Sequence, residues 1–193
     1  MTKEMFNNEI ENFRDKKVWI TKKARMIAES RMIKNNDLAM KIINWYTFLT
    51  LAGSILCLSI KFSNEFTTYY IVIVSVGLFG FSNYLSSKNY LEKAFRYRET
   101  YFELSKLEDQ LTDLLNSTDN NKRNELLKLK LNYEYIVALS DNHDEIDFKR
   151  INIDSNKMYY KDIFIYNIYF YSKWAIFFIA PIIIFILGVF LWK

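Results

Sequence analysis

The run from Trp174 to Trp192, WAIFFIAPIIIFILGVFLW, is the most apolar stretch of the chain and decides its fold class. It contains 19 residues without a charge, between Lys173 and Lys193. Because a helix rises ~1.5 Å per residue, about 20 apolar residues cross the roughly 30 Å hydrocarbon core of a bilayer. A tryptophan at each end suits the two membrane interfaces. The run therefore predicts a transmembrane helix.

Two further charge-free runs predict a first and a second span, Ile42 to Ile60 and Phe66 to Ser87, joined by a tight turn. A soluble core helix of this length would carry charges on its wet face. The chain has only four glycines and one proline, which argues against a β-rich fold. We therefore predict an all-α integral membrane protein with three transmembrane helices. Its expected parts are an N-terminal amphipathic helix (1–41), a two-span hairpin (42–87), a cytoplasmic helical region (88–173) and a third span (174–193).

The distribution of positive charge predicts the orientation of these spans. Residues 1–41 and 88–173 together hold 24 of the 26 basic residues, and only Lys61 and Lys193 lie elsewhere. Loops rich in lysine and arginine stay in the cytoplasm. The N terminus and the 88–173 segment are therefore expected inside, and the C terminus outside.

Apolar residues recur at helical spacing in the N-terminal segment, and a basic face accompanies them. The face comprises Lys16, Lys17, Lys22, Lys23, Arg25 and Arg31. It is interpreted as a solvated face and orientation signal, with contact to anionic lipid headgroups as the alternative. Nucleic-acid binding is not expected, since no aromatic platform accompanies the charge. Asn35-Asn36-Asp37 is expected to break the helix, with Asp37 capping the next one.

The cytoplasmic region is expected to form an antiparallel helical hairpin. No glycine or proline occurs from Phe81 to Asn116, so the second span is predicted to continue as one long helix. A polar turn at Ser117 to Asn121 separates it from a second amphipathic helix. Its apolar face should pack on the N-terminal helix or on a neighbouring subunit. The apolar positions are Ala94, Tyr97, Tyr101, Leu104, Leu111 and Leu115 in the first helix, and Leu126, Leu129, Tyr133, Ile136 and Val137 in the second.

The sequence predicts no catalytic, cofactor or metal site. The single histidine, His143, stands in the acidic stretch Asp141 to Asp147, but the glycine turn and distal glutamate of a calcium loop are missing. A helix end followed by a capped acidic turn explains this stretch better. The single cysteine, Cys57, cannot form an intrachain disulfide and is interpreted as a small buried residue.

Small and hydroxyl side chains line one face of each of the first two predicted spans. Such faces usually mean close helix–helix packing, and the sharper alternative is a pore lined by several copies of the chain. The predicted spans contain no charge, so a charged ion filter or a proton relay is not expected. The candidate pore-lining or packing residues are Thr47, Thr50, Ser54, Cys57, Ser75, Ser82 and Ser86.

Several segments resemble the SLATT domain family, small two-span effectors of bacterial nucleotide-linked defence systems. The segments are Trp19 to Arg25, the two-span hairpin, Ala94 to Leu104, and Leu131 to Ile136 running into Asp141-Asn142-His143. The additional C-terminal span is similar to one branch of that family, often encoded near a reverse transcriptase.

The resemblance implies an oligomeric effector of the bacterial inner membrane. It would permeabilise that membrane on infection and abort phage replication, with a co-encoded sensor or reverse transcriptase as a candidate partner. The alternative from another functional class is a non-conducting adaptor that anchors and oligomerises a cytoplasmic partner. The family has no established catalytic residues, and an enzyme is not expected.

Overall fold

The computed structural model describes residues 3–59, 65–117, 121–139, 141–142, 144–152 and 157–191, and all secondary structure in this part of the chain is helical. The elements are α1 (Lys3–Asn12), a π-helix (Phe13–Val18), α2 (Trp19–Ser59), α3 (Glu65–Ser87), α4 (Tyr90–Asn116), α5 (Lys122–Ala138), α6 (Glu145–Ile151) and α7 (Lys157–Leu191). They divide into two compact units. We name them the charged unit (Met1–Ile33 and Tyr90–Ile163) and the apolar unit (Lys34–Asn89 and Phe164–Lys193).

The charged unit has a conventional hydrophobic core. Side chains from α1, the π-helix, α4 and α5 pack together in this core. The apolar positions that the sequence predicted for the two helices of the hairpin are all buried or half-buried. Leucines at helical spacing supply five of the ten buried residues, as expected for amphipathic helices that cover one another. The buried members are Ile10, Phe13, Val18, Leu104, Leu107, Leu111, Leu114, Leu126, Tyr133 and Ile136.

The π-helix changes which residues face this core. Phe13 and Val18 are both buried although they are five residues apart. The backbone hydrogen bonds of a π-helix join residues i and i+5, so residues at this spacing lie close to the same face. Ile20, which follows the π-helix, is half-buried. Sequence periodicity alone, which assumes 3.6 residues per turn, could not place this shift.

The predicted break at Asn35-Asn36-Asp37 is wrong, because α2 continues through it without interruption. Met32 and Ala39 are buried on either side of the asparagines, so packing continues along the helix. Asparagine disfavours a helix by less than about 1 kcal/mol, and burial of flanking side chains outweighs that preference.

The prediction of one unbroken helix from the second span into the charged unit is also wrong. α3 ends at Ser87 and α4 begins at Tyr90. Asn89 adopts a φ of 49°, in the left-handed region that terminates helices and that asparagine tolerates better than most residues. Asparagine here takes the role usually given to glycine.

The apolar unit exposes many of its large hydrophobic residues and buries few. On α3, Ile73, Val76 and Phe79 are 69%, 68% and 70% exposed. Within the described part of the chain, two helical segments are long and apolar enough to cross a membrane, Thr68–Asn116 and Met158–Ile186. The apolar portion of the first is α3.

The first predicted span, Ile42 to Ile60, is not among those candidates. Residues 42–59 lie on α2, and this run falls outside the comparison because its side chains are described only as far as Ile55. A membrane protein is therefore indicated, whereas the number of spans stays a prediction.

Candidate functional site

Three interhelical hydrogen bonds of the apolar unit gather around Pro181 in α7. Proline has no N–H, so the carbonyl of Phe177, four residues earlier, loses its helical hydrogen-bond donor. The hydroxyl of Tyr46 in α2 donates to that carbonyl oxygen at 2.9 Å. An unsatisfied carbonyl in hydrocarbon costs several kcal/mol, on the order of a lost hydrogen bond or more. Tyr46 therefore supplies from another helix what the proline removes.

Two further aromatic side chains donate to the same turn of α7. The indole Nε1 of Trp45 donates to the carbonyl of Phe178 at 3.1 Å, and the hydroxyl of Tyr70 in α3 donates to the carbonyl of Pro181. We call this set the Pro181 cluster, comprising Trp45, Tyr46, Tyr70, Phe177, Phe178 and Pro181. Through it, α2 and α3 both bond to the backbone of α7.

Ring contacts within the apolar unit extend the cluster and fix helix directions. The rings of Tyr70 and Phe185 contact each other at a tilt of 56° with centroids 5.2 Å apart, and those of Phe81 and Phe177 at a tilt of 33° with the same spacing. A later residue of α3 thus meets an earlier residue of α7, so these helices are antiparallel. α2 is parallel to α7, since residues 45–46 meet 177–178 while Lys34 meets Tyr171.

The hydrogen bonds that the structure gives the predicted hydroxyl residues lie within their own helices, not between helices as in the Pro181 cluster. Thr47, Thr50, Ser54 and Ser75 each donate to a carbonyl four residues earlier in their own helix, at 2.8 Å. These bonds join no two helices. Thr47 and Ser86 are exposed, Thr50, Ser54, Ser75 and Ser82 are half-buried, and the side chain of Cys57 lies outside the described residues.

Sequence reasoning missed the aromatic donors because it searched for small and hydroxyl side chains. The available signal was Pro181 itself, since a proline inside an apolar helix requires an external donor for the carbonyl four residues earlier. The sequence contains 14 tyrosines and 4 tryptophans, so it could not show which one supplies it.

The charged unit contains a buried ion pair that the sequence did not reveal. Arg31 of α2 donates from Nε and Nη2 to the two carboxylate oxygens of Asp147, at 3.0 and 2.9 Å. Its Nη1 lies 2.7 Å from a carboxylate oxygen of Asp144. Asp147 is fully buried, and Arg31 is 8% exposed. This geometry is the bidentate arginine–carboxylate pair that combines strength with fixed orientation.

The same two acids begin α6. The backbone N–H of Asp144 donates to Asp147 at 3.2 Å, which is consistent with the expected capped acidic turn. His143 lies outside the described residues. Among the residues that are described, no group of three histidine, cysteine, aspartate or glutamate side chains gathers as a metal site would require.

Arg25 is fully buried, and no carboxylate of the described residues lies within bonding distance of it. Its Nη2 donates to the carbonyl of Val137 at 3.4 Å, and its guanidinium lies 5.5 Å from the ring centroid of Tyr97. Nε and Nη1 have no hydrogen-bond partner among the described residues. Burial lowers the pKa of the Arg25 guanidinium, partly offset by neighbouring tyrosines and Asp141.

The expectation that the basic residues form one solvated face is therefore wrong for Arg25 and Arg31. Lys22 is also engaged, donating to Glu108 of α4. These cations face α4, α5 and α6, because α2 is covered on that side by its neighbours. Sequence spacing placed them on a common face and could not show that the face is covered.

In the described part of the chain all secondary structure is helical and two helices have the length and composition of membrane spans, which indicates a helical membrane protein. The model of one protein family, SLATT_5, described as SMODS and SLOG-associating 2TM effector domain family 5, matches residues 7–192. The chain therefore belongs to this family, which confirms the resemblance seen in its sequence. Comparison with curated proteins and with solved structures gave no match. The family description names an effector domain and no reaction.

Proposed function

We propose that the chain is an oligomeric effector whose copies form a pore and permeabilise the bacterial inner membrane in an anti-phage, abortive-infection response. The membrane effector class rests on the family, and the pore rests on the apolar unit. One chain supplies too few helices to enclose a channel, so conduction requires several copies.

The observation that carries the proposal is the bonding of the hydroxyl side chains. Because Thr47, Thr50 and Ser54 donate to their own helix, they are not consumed in holding α2 to another helix of the same chain. A hydroxyl in that arrangement keeps its oxygen lone pairs for water. Such a face suits the wall of a narrow, weakly selective pore.

The glycines of α3 support assembly of copies. A Cβ added at Gly77 or Gly80 would meet no atom within 4 Å, so the surface beside them is open in the single chain. Small residues let helices from different chains approach closely in a bilayer. We infer that this side of α3 faces another copy.

A non-conducting adaptor is the second candidate, and α5 favours it. Leu127, Leu131 and Tyr135 lie on one outward face of α5 and are 55%, 72% and 67% exposed. Exposed apolar rows of this kind are typical of protein contact surfaces. In that case the apolar unit would anchor and oligomerise a partner without conducting.

The first experiment is to induce the protein alone in bacteria and follow membrane potential with a voltage-sensitive dye, against an empty vector. We expect depolarisation before viability falls. Unchanged potential and growth at high expression, both alone and with neighbouring genes co-expressed, would refute the pore.

A pair of substitutions then distinguishes pore from packing. Ser54→Leu and Ser82→Leu each replace a half-buried serine, and Ile55→Leu is the matched control because Ile55 is already apolar and 62% exposed. If the serines line a pore, both variants should still form cross-linked oligomers but should no longer depolarise the membrane. Loss of the oligomers themselves would assign the serines to packing, as the adaptor requires. Ile55→Leu should preserve both properties.

A further inference from the structure

Four exposed lysines lie at one end of the apolar unit. They are Lys34, Lys41, Lys88 and Lys173. The Phe81–Phe177 ring contact sets α3 beside α7, and seven residues beyond Phe81 correspond to about 10 Å of helix, which brings the end of α3 to the level of Tyr171. The Lys34–Tyr171 bond brings α2 to that same level.

Lys34 is held in place by aromatic rings. Its ammonium lies 5.7 Å from the ring centroid of Phe170 and 4.6 Å from that of Tyr171, and it donates to the Tyr171 hydroxyl. Lys88 lies similarly over Tyr84, 4.8 Å from its centroid. Cation–π contacts of this kind fix an ammonium without neutralising it.

The Lys34–Tyr171 bond leaves two kinds of donor available. An ammonium has three N–H groups and this bond uses one of them. Tyr171 is the acceptor in the bond, so its hydroxyl hydrogen can still be donated. A phosphate oxygen accepts from both groups, and charge-assisted bonds to phosphate are among the stronger hydrogen bonds in proteins.

The charge balance at this end favours an anionic ligand. Four lysines and one exposed acid, Asp37, give a local net charge of +3. A zwitterionic headgroup would bring its own cation to this surface, whereas an anionic one would not. The lysines also lie next to the exposed apolar surface of the apolar unit, which lipid acyl chains would cover. A headgroup would then lie at the level of the lysines.

We propose that this lysine end binds the phosphate of anionic phospholipid headgroups, with Lys34 and Tyr171 as paired donors and Lys41, Lys88 and Lys173 as supporting charges. The sequence suggested lipid contact for the N-terminal basic face, but Lys22, Arg25 and Arg31 of that face are bonded or buried within the charged unit. We therefore assign the lipid contact to the lysines of the apolar unit. The proposal rests on membrane insertion and does not require conduction.

The test is a lipid titration of the full-length protein in detergent micelles, followed by native mass spectrometry. Phosphatidylglycerol should bind more tightly than phosphatidylcholine. Lys34→Gln and Lys173→Gln should each weaken phosphatidylglycerol binding about fivefold, the effect of one lysine near an anionic surface. Tyr171→Phe retains the ring and should weaken binding about two- to tenfold by removing one hydrogen bond.

Lys128→Gln is the matched control, because Lys128 is an exposed lysine on α5 in the charged unit. It should bind phosphatidylglycerol as the wild type does. Equal binding of the two lipids by the wild type, or an equal loss in Lys128→Gln, would overturn the proposal. So would displacement of the lipid by excess inorganic phosphate, since that would identify a site for free phosphate. These results do not depend on membrane potential, so failure of the pore leaves this proposal testable.

Discussion

The two units use opposite means to hold helices together. In the charged unit, leucines such as Leu104 and Leu111 are fully buried, and ions such as Arg31 and Asp147 pair beneath the surface. In the apolar unit, only about 6% of the α7 candidate span is buried, and helices bond through side chains to backbone carbonyls.

This difference shows which solvent each unit is built for. Water drives apolar side chains inward, and the charged unit follows that rule. Lipid supplies no such force but penalises an unsatisfied backbone group, and the apolar unit follows that rule at Phe177. Substitutions at positions that are specific to one of the two units test this difference.

The largest effect is expected from Asp147→Ala in the charged unit. The substitution removes the bidentate partner of the buried Arg31, and breaking a buried pair costs about 3–5 kcal/mol. We expect a loss near the lower end, about 3 kcal/mol, because Asp144 remains. Chemical unfolding followed by circular dichroism measures the change.

An exposed ion pair provides the control for that substitution. Glu92 and Arg96 are both more than half exposed, and surface pairs contribute about 0–1 kcal/mol. Glu92→Ala should therefore change the free energy of unfolding little. If Asp147→Ala proves equally mild, the buried pair is not what holds α6 to α2.

An intermediate effect is expected from Tyr46→Phe in the apolar unit. It removes the donor to the Phe177 carbonyl, which Pro181 has already deprived of its helical N–H. Interhelical hydrogen bonds in membranes contribute roughly 1–2 kcal/mol at most, so a loss of about 1 kcal/mol is expected. Unfolding in detergent by dodecyl sulfate titration measures it.

A double-mutant cycle separates this bond from simple packing. Pro181→Ala restores an N–H four residues after Phe177, so Tyr46→Phe should cost less in that background than in the wild type. Equal costs in the two backgrounds would show that the tyrosine stabilises α7 by packing alone.

A smaller effect of opposite sign is expected at Arg25. Replacing a buried, incompletely bonded ion by a similarly sized apolar group is often neutral or stabilising, so Arg25→Met should raise the free energy of unfolding by about 1 kcal/mol. Arg31→Met is the matched comparison. It removes the arginine partner of the buried Asp147 carboxylate, so it should lower the free energy of unfolding. Destabilisation by Arg25→Met would show that the contacts to Tyr97 and Val137 outweigh the cost of burial.

The sequence was informative where a pattern depends on one helix alone. Charge-free runs identified apolar helices, and leucine spacing identified the core faces of α4 and α5, because both follow from a helix and its solvent. Arg25, Arg31 and Tyr46 were missed or misplaced because each depends on which second helix lies opposite. The Asn89 turn was missed because the prediction for Phe81 to Asn116 rested on the absence of glycine and proline from that stretch.

The smallest effect on a single chain is expected from Gly77→Ala, which extends the comparison to contacts between chains. The added Cβ meets nothing within 4 Å, so unfolding should change only through the higher helix propensity of alanine, a stabilisation of roughly 0.4–1 kcal/mol. Gly53→Ala is the control, because its Cβ would touch Ile71 of the same chain at an ordinary 3.5 Å. If copies pack along α3, Gly77→Ala alone should reduce cross-linked oligomers, since close helix approach requires a small residue. Unchanged cross-linking would place the interface elsewhere, and lipid would then be the neighbour of that side of α3.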